Sequence, residues 1–118
     1  MSENTIAVKS KAFAVRIIKL YKHLITESHE HVLSKQLLRS GTSIGANVRE
    51  ATRGSSRKDF AAKMNIALKE ADETAYWFEL LIETDYITKP QFDSIYADCE
   101  ELIKLLASIV KSSKSPRP

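Results

Sequence analysis

Residues 34–60, SKQLLRSGTSIGANVREATRGSSRKDF, contain all three glycines of the chain together with Arg39, Arg49, Arg53, Arg57 and Lys58. Guanidinium and ammonium groups grouped in this way can hold phosphates through charge and hydrogen bonds, without help from other side chains. Read as a helix, a turn and the start of another helix, the stretch places small residues on one face and these cations near one end. That combination predicts close helix packing beside a basic surface.

Other chemistries find little support. A di-iron bundle needs inward glutamates with Glu-x-x-His pairs, and no glutamate here has a histidine three residues on. His23, His29 and His31 fall near the first turn, and the alternation of His29 and His31 keeps them off one helical face, so they read as surface loop residues. The single cysteine, Cys99, occupies an apolar helix position and reads as a buried, inert thiol. No P-loop, dinucleotide-binding glycine pattern or nucleophile elbow is present. The expectation is a protein that is not an enzyme, with no cofactor and no metal.

The chain of 118 residues, 43% of them hydrophobic, is sized for one folded domain spanning residues 1–118. It has neither the apolar run of a signal peptide nor a membrane-spanning stretch, so it reads as cytoplasmic. Four periodic segments follow one another. In the first, residues 6–27, Phe13, Ile17, Leu20 and Leu24 form one stripe; Ala14, Ile18, Tyr21 and Ile25 form a second, width that a partner chain could absorb. In residues 31–52, Leu33, Leu37, Ser40, Ile44, Val48 and Ala51 form a heptad-like line. Gly41 and Gly45 lie one turn apart beside it, each costing about 1 kcal/mol of helix propensity, which predicts the close approach of another helix. Asn47 and Glu50 on the same helix read as structural, satisfying buried hydrogen bonds.

Gly54 supplies a stop, and Ser56 with Asp59 resembles a capping box opening a third helix over residues 57–84. Its stripe is Phe60, Met64, Ala67, Ala71, Thr74, Phe78 and Leu81. Tyr76, Trp77 and Phe78 cannot all face one core, and Trp77 is the candidate for an exposed or interfacial position. Thr88 and Gln91 form a second capping box before a fourth helix over residues 89–112, with the seam Phe92, Ile95, Cys99, Leu102, Leu106 and Ile109. Residues 113–118 read as a flexible tail. Four helices with short connections define an all-α, antiparallel up-down-up-down bundle.

That topology gives meaning to a net charge of only +3. It gathers Lys9, Lys11, Arg16, Arg49, Arg53, Arg57, Lys58, Lys63, Lys104, Lys111, Lys114 and Arg117 at one pole. The opposite pole takes most of the acids, among them Glu70, Glu73, Asp98 and Glu101. A polyanion would be drawn to the first pole and repelled by the second. Ordinary solvated helices, with acids favouring the start of the fourth, give the same segregation.

Gln36 to Arg39, Thr42 to Glu50, Ser56 to Phe60 and Ala67 to Leu81 (ALKEADETAYWFELL) together resemble the four-helix-bundle proteins encoded within intervening sequences of bacterial 23S rRNA genes. The similarity runs from Lys11 to Val110. The same superfamily includes the accessory protein of diversity-generating retroelements, which works with a reverse transcriptase. The resemblance implies a ring-like homo-oligomer, a homopentamer, with a basic surface and nucleic-acid binding, and no known enzymatic role. Many relatives carry proline where Gly45 stands and alanine where Arg49 stands, which places this chain in a glycine-containing branch.

The expected function is therefore phosphate-mediated binding of RNA or DNA, without base readout, by Arg49, Arg53, Arg57, Lys58 and Lys63, supported by Lys9, Lys11 and Arg16. No aromatic cluster is interleaved with these cations to stack bases. The alternative is an assembly scaffold that docks a protein partner, such as a nucleic-acid-processing enzyme, through the region of Trp77 and the acidic pole.

Overall fold

The computed structural model describes residues 3–54 and 56–114. They form α1 (Glu3–Thr26), α2 (Leu33–Thr52), α3 (Arg57–Glu83) and α4 (Lys89–Lys114). Each helix packs antiparallel on the next and α4 returns to α1, in a bundle 53 × 21 × 19 Å. The α1–α4 seam is the loosest of the four. None of the described helices is long and apolar enough to cross a membrane.

The periodic stripes form the core. Phe13, Ile17 and Leu24 of α1, Leu37, Ile44 and Val48 of α2, and Met64, Phe78 and Leu81 of α3 are buried with Ile95, Cys99, Leu102 and Leu106 of α4. Phe13 meets Phe78 edge to face, ring centroids 6.3 Å apart. In the second stripe of α1, Ala14, Tyr21 and Ile25 are half-buried at the bundle margin and Ile18 is exposed.

The helix ends differ from expectation where backbone groups find partners that periodicity does not register. The first helix starts at Glu3, earlier than residue 6, and the fourth runs to Lys114, so Ser113 and Lys114 are helical. The remainder of the tail, residues 115–118, lies outside the described residues. The second helix starts at Leu33, later than residue 31, because Glu30 is its cap. The Glu30 carboxylate accepts from the backbone N–H of Val32, Leu33 and Ser34 at 3.1, 2.9 and 2.7 Å, and Ser34 Oγ donates back to the Glu30 carbonyl at 2.7 Å. Burial raises the Glu30 pKa, but the N–H groups of Leu33, Ser34 and Val32 and the Ser34 hydroxyl outweigh it and hold the carboxyl below its ordinary range.

At the start of α3, Ser56 Oγ accepts from the Asp59 N–H at 3.0 Å. The Thr88–Gln91 box closes in both directions: Thr88 N–H donates to Gln91 Oε1 at 2.8 Å, and Gln91 N–H to Thr88 Oγ1 at 3.3 Å. Gly54 is not in the left-handed region; its N–H instead donates to the Ala51 carbonyl at 3.3 Å. The left-handed stop is Asp85 after α3, at φ 67°, with Asp85 N–H on Ile82 and Tyr86 N–H on Leu81.

The glycine pair of α2 lies against α1. A Cβ at Gly41 would fall 2.6 Å from Ile17 Cγ1, and one at Gly45 would fall 3.3 Å from the backbone oxygen of Ser10. The expected close approach is therefore between α2 and α1.

Candidate nucleic-acid interface

Arg49 and Arg53 stand one turn apart at the C-terminal end of α2, both exposed. Arg53 caps the helix, its N–H donating to the Arg49 carbonyl at 3.1 Å. The α2 dipole places partial negative charge at this end, so cations here are favoured by the helix itself. Arg57 and Lys58 are the first two residues of α3, also exposed. There the dipole opposes them, by roughly 0.3–1 kcal/mol per charge at an exposed site. Helix stability therefore does not account for their placement.

Lys11 of α1 joins Arg49 and Arg53 along an open groove of about 610 Å³ between α1 and α2. Ala7, Ala14, Thr42, Gly45, Ala46, Glu50 and Thr52 complete its lining. Lys11, Arg49, Arg53, Arg57 and Lys58 form no ion pair among the described residues.

The other three candidates are engaged elsewhere. Lys63 pairs with Glu50 at 2.8 Å, Lys9 with Glu101 at 3.1 Å, and Arg16 with Asp98 at 2.6 Å. Arg16 also donates to Ser94 Oγ at 3.0 Å. Asp98 and Glu101 were expected at the acidic pole, but the antiparallel register of α1 and α4 sets them level with Arg16 and Lys9. The two charge zones thus interlock along this seam, and of the eight candidate cations Lys11, Arg49, Arg53, Arg57 and Lys58 are those without an ion pair among the described residues. Arg39 also leaves the basic group. It lies near the start of α2, pairs with Glu73, and reaches Glu70 at 3.3 Å.

The profile of the 23S rRNA-intervening sequence protein family matches residues 2–108. The chain belongs to this family. It is similar, at 60% identity and a TM-score of 0.92, to a crystal structure from Bacteroides thetaiotaomicron described as a protein of unknown function from the S23 ribosomal protein family. The match covers 94% of this chain and 99% of that one. The comparison with curated proteins returns no match. Family membership and the four-helix fold, both anticipated from the motifs between Gln36 and Leu81, are thus established.

Among the remaining anticipated residues, Cys99 is fully buried and its thiol donates to the Ala71 carbonyl at 3.4 Å. Burial, followed by Asp72, Glu100 and Asp98, pushes the thiol pKa up to about 12, which leaves it unreactive. His23, His29 and His31 are exposed; His23 lies in the last turn of α1 and not in the loop. Among the described residues, no group of three His, Cys, Asp or Glu side chains is placed to hold a metal ion.

The three consecutive aromatics of α3 divide, with Phe78 buried in the core. Trp77 is half-buried and its indole N–H donates to Glu73 at 2.9 Å, whereas Tyr76 is 54% exposed. The indole finds a polar partner one turn back, which lets it lie down against the bundle. Glu50 is corrected, from a buried hydrogen-bonding role to an exposed ion pair; Asn47 donates within its own helix to the Ser43 carbonyl at 2.8 Å. Sequence reasoning missed the capping role of Glu30 and the groove. The signal for the groove lay in small residues on two helices that had to pack together, Ala7 and Ala14 seven apart on α1 and the adjacent Gly45 and Ala46 on α2.

Proposed function

We propose that the chain is a non-enzymatic, cytoplasmic binding module whose basic end holds RNA or DNA through backbone phosphates. One observation carries this reading: Lys11, Arg49 and Arg53 line one groove, Arg57 and Lys58 open the next helix against its dipole, and none of the five has a carboxylate partner among the described residues. Lys9, Arg16 and Lys63, held in ion pairs, contribute less. Contacts of this kind fix the position of a nucleic acid and carry no base information. Labelled RNA and DNA titrated across a salt series test it. Affinity is expected to fall steeply as salt rises; a flat dependence removes the phosphate contacts from the account.

The bundle also assembles with copies of itself, and a pentameric ring is the form that the family resemblance implies. Light scattering at micromolar concentration is expected to give a multiple of 13.3 kDa. A stable monomer contradicts self-assembly.

Docking of a protein partner is the second reading, and its surface centres on Tyr76, whose exposed ring lies 5.4 Å from that of Trp77. Apolar docking there responds weakly to salt, which distinguishes it from phosphate binding.

A further inference from the structure

We infer that the groove between α1 and α2 takes a single nucleic-acid strand, with a base laid against the guanidinium planes of Arg49 and Arg53. The inference rests on reading the basic end as a nucleic-acid surface and adds which form of nucleic acid that surface prefers.

Four observations lead to it. First, the trench is narrow at its base: the Ser10 backbone oxygen comes within 3.3 Å of where a Gly45 Cβ would stand. Helices whose backbones approach this closely leave a cleft that a duplex can touch only from outside. Second, the alanines Ala7, Ala14 and Ala46 keep the space above that base open, to about 610 Å³, which is of the size that holds small organic groups. Third, the cations stand on both lips, Lys11 on α1 and Arg49 with Arg53 on α2. Arg49 and Arg53 are about 6 Å apart along the helix, so a base reaching between them meets planar cations that stack on its π face.

The fourth observation concerns the hydroxyls. Thr42 donates to the Leu38 carbonyl at 2.7 Å and Thr52 to the Arg49 carbonyl at 3.0 Å. Their hydrogens are committed, so the oxygens are left as acceptors for base amino groups, whose N–H donors an unpaired base can bring into the cleft and a duplex holds on its groove edges. The Glu50 carboxylate, which would repel the strand, is compensated by Lys63 at 2.8 Å. A purely electrostatic surface favours the duplex, which carries twice the phosphates per unit length, so a preference for the single strand is diagnostic.

The test is anisotropy of a labelled strand of about 20 nucleotides, single and as its duplex, at one salt concentration, with three proteins. The wild type is expected to bind the single strand about fivefold or more tightly than the duplex, in keeping with base stacking on a protein platform. Ala46→Trp fills the trench without changing charge; Arg49→Lys/Arg53→Lys keeps charge but removes the planar groups. Both are expected to lose single-strand affinity by about fivefold while duplex affinity stays within about twofold, with melting curves confirming that they fold. Equal or tighter duplex binding by the wild type overturns the inference and needs no variant to interpret. So does a folded Ala46→Trp protein with unchanged single-strand binding. If either overturning result comes with duplex binding that is lost on Arg57→Glu/Lys58→Glu, the basic end still binds nucleic acid and only the groove assignment fails. If the wild type binds neither ligand, both fail, and a trench filled by another protein chain becomes the account.

Discussion

Gly41 and Gly45 were legible in the sequence because two glycines at helical spacing have a helix-propensity cost that only packing offsets. Which helix they face was not legible, since the spacing does not name the partner. The contact with α1 makes the two positions unequal. Substituting Gly41→Ala drives a Cβ to 2.6 Å from the buried, branched Ile17, and the expected result is a loss of about 1–3 kcal/mol in urea unfolding, the usual range for overpacking. Glu30 was not legible, because its three partners are backbone N–H groups and apolar periodicity reads only side-chain faces. Its carboxyl is held below the ordinary range, so its contribution is fully present above the unfolded pKa of about 4.3 and is lost as pH falls through the lower folded value. Glu30→Gln is therefore expected to lower stability at pH 7 by about 1–3 kcal/mol and to converge toward wild type in acid, as pH falls through the lowered folded value. Unfolding curves at pH 7 and in acid check this, and a constant difference removes the cap from the acid response. Trp77 was the candidate for an interfacial position because three consecutive aromatics cannot all face one core; it is half-buried with its N–H on Glu73, and Tyr76 is the more exposed of the three.

Element boundaries were set by capping groups and element identity by periodicity, and the two were not equally readable. The α4 seam of Ile95, Cys99, Leu102 and Leu106 is buried as its three-and-four spacing requires. The Thr88–Gln91 box was readable because both partners are side chains at a fixed offset. Thr88→Ala is expected to cost about 1 kcal/mol, the typical value of an N-cap, seen as a lower melting temperature with unchanged helical signal. Along α1 and α4, by contrast, the sequence shows the charges and not their register. Lys9 and Arg16 looked available and are paired with Glu101 and Asp98. These pairs have side chains 40–50% exposed, so each contributes about 0–1 kcal/mol at most. Their larger consequence is to remove two cations from the surface that a polyanion meets.

At the scale of the whole molecule, the up-down-up-down topology brings Lys11 of α1 beside Arg49 and Arg53 of α2, which Arg57 and Lys58 follow closely in the chain. The fold class was readable because four amphipathic segments with short connections have few other arrangements. The site was readable only in outline, since a cation on a helix is free or neutralised according to what the adjacent helix presents at the same height. The measurement that bears most directly on the account is the salt dependence of RNA binding for wild type beside Arg53→Glu/Arg57→Glu/Lys58→Glu. The account predicts that the wild type binds with log affinity falling steeply against log salt, and that the folded variant loses most of both affinity and slope. Wild-type binding with an unchanged slope in the variant, or no binding at low salt, contradicts it.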